Sequence, residues 1–168
     1  MGLLAAFLVA ALLFELKASE TMWYVINDGV MGGVSSSSVK VQNGVLEFTG
    51  RVRLENNGGF ASVRSAAGQY DLSRFSSLRL RVRGDGKNFT FQIGTNTARG
   101  ILYQYTFATK AGQWLELEVP LAALKPTRFG QPLTRPALDA SRIEHFGFIV
   151  ANKKAEDFKL ELDWIRAR

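Results

Sequence analysis

The residues of this chain best placed for chemistry are amides, carboxylates and glycines, and they come in clusters. Asn27-Asp28-Gly29-Val30-Met31-Gly32-Gly33-Val34-Ser35 packs three glycines and an Asn-Asp pair into nine positions. Such a run demands irregular backbone, because glycine takes positive φ freely and Asn and Asp tolerate it better than most residues. Met31 stands where a plain turn would be polar. Two readings follow: Met31 plugs the end of the core, as methionine fills irregular gaps, or it is presented to a protein partner. A phosphate cradle would follow a strand and open a helix; here serines and a further strand follow, which argues against nucleotide binding. The second cluster, Leu54-Glu55-Asn56-Asn57-Gly58-Gly59-Phe60, reads as a hairpin turn carrying more amides than a turn requires. The third, Arg83-Gly84-Asp85-Gly86, reads as a plain hairpin turn, although its first three residues spell an integrin-recognition tripeptide. Arg64 alternates with Val63 and is expected either to point outward or to pair with Asp85.

Catalytic constellations are not visible. There is no cysteine, and His145, the single histidine, sits beside alternating Phe146 and Phe148, which makes it a strand residue rather than a catalyst. Glu116 and Glu118 share the polar side of one alternating strand, the solvated side. Asp28, Asp85 and Asp139 are the carboxylates that could converge on calcium, yet no dense loop of oxygen ligands accompanies them. No cofactor is expected. The aromatics Tyr103, Tyr105 and Phe107, with Trp23, Trp114 and Trp164, read mainly as core, since such rings bury large area. The minority reading is a sugar-stacking platform on a sheet face lined by Tyr103, Tyr105 or Trp114.

The elements that must position these clusters are strands. Alternation with a period of two runs through 45–52, 78–83, 89–93, 103–107, 115–119, 146–150 and 158–164. Turn signals separate them, among them Asn43-Gly44, Ala111-Gly112 and Lys153-Lys154. Leu121 to Leu124 and Asp139 to Arg142 each suit one helical turn, Asp139 as its N-cap. The segment 125–136 holds three prolines and no alternation, and reads as the longest loop. Short strands without intervening helices predict two packed antiparallel sheets in one domain. That domain is expected over 12–168; residues 1–11 form an apolar segment with the length of a signal-peptide core. The compartment therefore stays open: cytoplasmic, or periplasmic or secreted if the segment is cleaved. The formal charge is +6, from 21 Lys and Arg against 15 Asp and Glu. Arg79, Arg81 and Arg83 alternate with Leu78, Leu80 and Val82, which predicts a solvated outer face. No nucleic-acid motif accompanies the charge.

In order and separation, Trp23 with the 27–35 cluster, Phe48 and Gly50, 54–64, Arg83-Gly84-Asp85-Gly86, Gly147-Phe148 and 158–165 resemble the complex I intermediate-associated protein 30 domain family. The resemblance covers about Leu13 to Ala167. It implies a jelly-roll, galactose-binding-like antiparallel β-sandwich, similar to some carbohydrate-binding modules. It also implies kinship with a mitochondrial factor that assists assembly of respiratory complex I without catalysing a reaction. Two places depart from the family pattern: Arg128-Phe129-Gly130 stands where Phe-Arg-Gly is usual, and Ala151-Asn152-Lys153 where an Ala-Asp-Lys-like run is usual. The expected function is a non-enzymatic protein-binding module, with carbohydrate binding as the alternative. The expected contact surface gathers Asn27, Asp28, Val30, Met31, Gly32, Gly33, Asn56, Asn57, Gly58, Gly59, Arg64, Arg83 and Asp85 at one end of the sandwich.

Overall fold

The computed structural model describes residues 13–168; the apolar segment 1–11 and its signal-sequence reading lie outside them. Two antiparallel sheets face each other. One runs β3 (Ser36–Gln42), β4 (Val45–Val52), β13 (Glu156–Ala167), β6 (Ser77–Arg83), β9 (Trp114–Pro120), with the short β1 (Glu15–Lys17) also paired to β13. The other runs β11 (Gln131–Pro132), β10 (Lys125–Arg128), β8 (Leu102–Ala108), β7 (Asn88–Thr95), β12 (Ile143–Val150), β5 (Ala61–Ser65), β2 (Trp23–Asn27). This is the all-β, jelly-roll-like sandwich that the alternation and the family resemblance predict.

Alternation becomes burial directly. Leu46 and Phe48 of β4, Leu78, Leu80 and Val82 of β6, Phe91 and Ile93 of β7, Phe146 and Phe148 of β12, and Leu160 of β13 are fully buried between the sheets. Phe91 stacks on Phe146 at 6.3 Å and meets Phe148 at 5.5 Å between ring centroids. Each such ring removed from water is worth roughly 1.5–3 kcal/mol. Tyr103 belongs to this core: it is 1% exposed, and its hydroxyl donates to the Ala137 carbonyl at 3.2 Å. Tyr105 packs against the same cluster. Neither offers a sugar platform.

Strand direction decides where the connections fall. β4 and β6 are both antiparallel to β13, so both end at the same pole of the sandwich. The turns 28–35, 53–60, 84–87, 109–113 and 151–155 gather there, as the pairings Asn27–Ala61, Ser36–Arg51, Asn88–Ala108 and Glu156–Val52 require. The turns 43–44, 66–76, 96–101 and 129–142 lie at the other pole.

Three expectations are corrected. The segment 84–87 is not a hairpin turn, because it joins β6 in one sheet to β7 in the other. The segment 54–60 is not a hairpin: it carries the chain from β4 in one sheet to β5 in the other, with Asn56 at φ 58°, Asn57 at φ 57° and Gly59 at φ 127°. The same left-handed residues that tighten a hairpin here turn a corner between layers. The segment 125–136 is not structureless, since β10 and β11 pair Thr127 with Pro132 and Arg128 with Gln131. Pro132 sits on an edge strand, where its missing N–H is tolerated.

Candidate functional site

Asp28 organises the first pole. It is fully buried, and its carboxylate accepts from the Ser35 amide at 2.9 Å, the Ser35 hydroxyl at 2.5 Å, the Gly59 amide at 2.7 Å and the Phe60 amide at 3.3 Å. Its own amide donates to the Phe60 carbonyl at 3.2 Å. One side chain thus ties the 28–35 turn to the 53–60 turn. Burial alone would push this carboxyl up. The Ser35 hydroxyl and the amides of Gly59, Ser35 and Phe60 outweigh burial and hold it below its ordinary value. Glycine is required around it because the carboxylate lies against backbone: a Cβ on Gly33 would stand 2.5 Å from Oδ1, and one on Gly58 2.6 Å from Oδ2. Asn56 adds a second stitch, donating to the Gly32 carbonyl at 3.2 Å, and Asn27 accepts from the Ser37 hydroxyl at 2.7 Å.

With polar groups turned inward, apolar ones face out. Val30 is 75% exposed, Met31 63%, Val34 45% and Leu54 44%. The reading of Met31 as a core plug is therefore corrected: a single 3-10 turn over Asp28–Met31 points it at solvent. Asp28 is corrected in the opposite sense, because a carboxylate without contact to water touches no partner. Asn27, Val30, Met31, Gly32, Gly33, Asn56, Asn57, Gly58 and Gly59 do come together around it.

Arg83 and Asp85 share the pole but are engaged elsewhere. Arg83 grips Glu161 through two hydrogen bonds of 2.5 and 2.9 Å and lies over the Trp114 ring at 4.8 Å, with Arg81 also over that ring at 4.9 Å. Asp85 accepts from Lys87 Nζ at 2.8 Å and from the Lys159 amide at 3.0 Å. Of the two readings for Arg64, pairing with Asp85 does not occur. Arg64 instead points outward from β5. Asp139 caps a turn at the far pole, donated to by the Ser141 amide at 3.1 Å, so it does not converge with Asp28 and Asp85. Among the described residues no three His, Asp or Glu side chains cluster as metal ligands.

Arg64 belongs to a feature that sequence reasoning missed. The registers Tyr24–Arg64, Arg64–Gly147, Gly147–Gln92 and Gln92–Gln104 form one line across the outer face of the seven-stranded sheet. Gln104 donates to the Gln92 side-chain oxygen at 3.0 Å. Beside the line, the His145 imidazole lies on Gly94, where a Cβ would stand 2.8 Å from Nδ1. Burial, then the nearby Arg64, lower the His145 pKa to about 4, and Nε2 is buried with no hydrogen-bond partner. The one available signal was a pair of mid-strand glycines, Gly94 and Gly147, which mark close approach.

The geometry has counterparts elsewhere. The sequence model of the family described as complex I intermediate-associated protein 30 matches residues 12–162. The mitochondrial complex I intermediate-associated protein 30 of Drosophila melanogaster is 27% identical over 179 residues, covering 90% of this chain and 60% of that protein. The Mus musculus protein of the same name is 31% identical over 175 residues, covering 90% and 53%. The chain thus spans between half and two thirds of the length of these relatives. Among solved structures, the family 11 carbohydrate-binding module of a Clostridium thermocellum cellulase superposes with a TM-score of 0.70 at 18% identity, covering 92% of this chain and 93% of that one. The same type of module in complex with a β-1,3-1,4-mixed-linked tetrasaccharide gives 0.68 at 18%, covering 92% and 94%. At that identity the likeness is one of fold. The family match runs from before β1 into β13 and takes in both glycine-rich turns bound by Asp28, so the chain belongs to the complex I intermediate-associated protein 30 family.

Proposed function

We propose that the chain is a non-enzymatic protein-binding module whose contact surface is the turn pair 28–35 and 53–60. The observation that carries this reading is the buried Asp28 carboxylate, which fixes both turns while Val30, Met31, Val34 and Leu54 stand in solvent. Exposed apolar side chains on a rigid platform lose little freedom on docking, and that favours association. Asp28 acts from within; Asn56 and Asn57 shape the rim. The relatives' name points to an intermediate of respiratory complex I as the partner class.

The test substitutes outward residues only. Val30→Asp with Met31→Asp is expected to leave the melting temperature within a few degrees, since surface changes are worth roughly 0.5 kcal/mol each. Co-migration of the chain with partly assembled complex I on native gels should fall at least about tenfold, the loss of one contact of about 1.4 kcal/mol. Equal co-migration of variant and wild type would sink the reading.

A second reading is oligosaccharide binding along the line Tyr24, Arg64, Gly147, Gln92, Gln104. What supports it is a run of side chains rich in hydrogen-bonding groups, in register across five strands and roughly 19 Å long at about 4.8 Å per strand. Gln92 and Gly147 are buried within the line, so contact with a sugar falls to Tyr24, Arg64 and Gln104. Titration calorimetry with a mixed-linked β-glucan tetrasaccharide should give heat that Arg64→Ala abolishes. Silence there and across a broad glycan array removes this reading and leaves the first untouched.

A further inference from the structure

Phe129 is the most exposed large apolar side chain among the described residues, at 94%. It sits at the tip of the β10–β11 hairpin, between the paired Arg128 and Gln131. The turn does not need it. Phe129 and Gly130 have φ of 49° and 74°. The β3–β4 hairpin makes the same kind of two-residue turn with Asn43 and Gly44, at φ of 52° and 79°. Asn-Gly is the sequence such a turn prefers, and a bulky residue in the left-handed region is strained. A phenylalanine therefore stands where local conformation resists it and where no packing rewards it.

Its surroundings are cationic. Residues 125–138 contain Lys125, Arg128 and Arg135 and no Asp or Glu, and residues 96–104 contain Arg99 and no Asp or Glu. The two segments meet where Thr127 pairs with Leu102, at the same pole as the tip. Among the described residues none of these four cations forms an ion pair, whereas Arg79, Arg81 and Arg83 are all paired with carboxylates. The tip lacks the large apolar rim of a protein hot spot: Thr127, Arg128, Gln131 and the exposed Pro132 are its neighbours. A lone ring raised among unpaired cations matches the chemistry of an interface where aromatic groups sit at headgroup level above anionic lipid.

We propose that this hairpin tip is a membrane-surface contact, with Phe129 entering the interface of an anionic bilayer and Lys125, Arg128, Arg135 and Arg99 facing its headgroups. No helix among the described residues is long and apolar enough to cross a bilayer, so this contact rests on the surface. It lies at the pole opposite Val30 and Met31 and does not depend on their role.

Co-sedimentation of the full chain with phosphatidylcholine vesicles, with and without phosphatidylglycerol, tests the proposal. Binding is expected on the anionic vesicles and at least about tenfold less on the neutral ones. Phe129→Asn should lose about tenfold while melting at the same temperature or higher, because Asn suits the left-handed turn. Arg128→Gln with Arg135→Gln should lose a similar amount. In a Phe129→Trp variant, brominated lipid should quench emission beyond the quenching seen in wild type. No binding by wild type, equal binding by Phe129→Asn, a fall in that variant's melting temperature, or no added quenching each overturns the proposal; a protein pocket for Phe129 would produce the first of these.

Discussion

The two oxygens of the fully buried Asp28 carboxylate accept from three amides and one hydroxyl, on its own turn and the neighbouring one. Hydrogen bonds to a charged acceptor are roughly twice as strong as neutral ones. Removing the acceptor leaves buried amides unsatisfied. Asp28→Ala should therefore destabilise the fold by about 3 kcal/mol, which lowers the melting temperature of a chain this size by roughly 6–12 °C. The pH dependence follows from the lowered pKa. A carboxyl whose folded value lies below its ordinary 3.8 stabilises fully above that value and stops doing so as pH falls through the folded value. Urea midpoints of wild type and Asp28→Ala should differ by a constant amount near neutrality and converge in strong acid; a gap unchanged at low pH would contradict the ionised-hub account. His145 acts in another window. Its value is lowered from 6.5 to about 4, so the unfolded chain takes up a proton first, and acidification between those values erodes the stability of both proteins alike. Residue type revealed little of this. Asp28 and Met31 sit three positions apart in one glycine-rich run, and burial of the one and exposure of the other depend on Gly59 and Phe60, some thirty residues on.

Among the elements, β13 holds the most pairings: of its twelve residues, 156–162 pair with β4, 164–166 with β1, and 161–167 with β6 across a register shift between Leu162 and Trp164. Its amides should exchange with solvent most slowly, and those of the edge strands β11 and β2 among the fastest; hydrogen exchange read by NMR checks this order. β13 also organises the charges of its sheet's outer face. Arg83 meets Glu161, Arg81 meets Asp163 at 3.2 Å, and Lys159 meets Glu47 at 3.0 Å. The more exposed of these pairs add little stability, while Glu161 is buried beneath Arg83; together they explain why alternating arginines on β6 make no basic surface. The longer strands were legible because one face of each is buried, and burial writes a period of two into the sequence. β10 and β11 were not, because Pro126 and Pro132 interrupt alternation while edge pairing still accommodates them. The corner at 54–60 was misread for a different reason: left-handed Asn and Gly serve a hairpin and a layer crossing equally well, and only long-range pairing distinguishes the two.

At the scale of the molecule, the gathering of glycine-rich turns at one pole was readable from their chemistry and from strand alternation. The line Tyr24–Arg64–Gly147–Gln92–Gln104 was not, because it exists only once five strands are set in register, and no local signal fixes register across so many strands. The Asp28 lock carries a consequence for how such a domain diversifies. It holds the pole together through backbone amides and one hydroxyl, so the positions above it, 30, 31, 34 and 54, are decoupled from folding. A lineage, or a selection library randomised at those four sites, can vary the surface the pole presents and still inherit an intact scaffold.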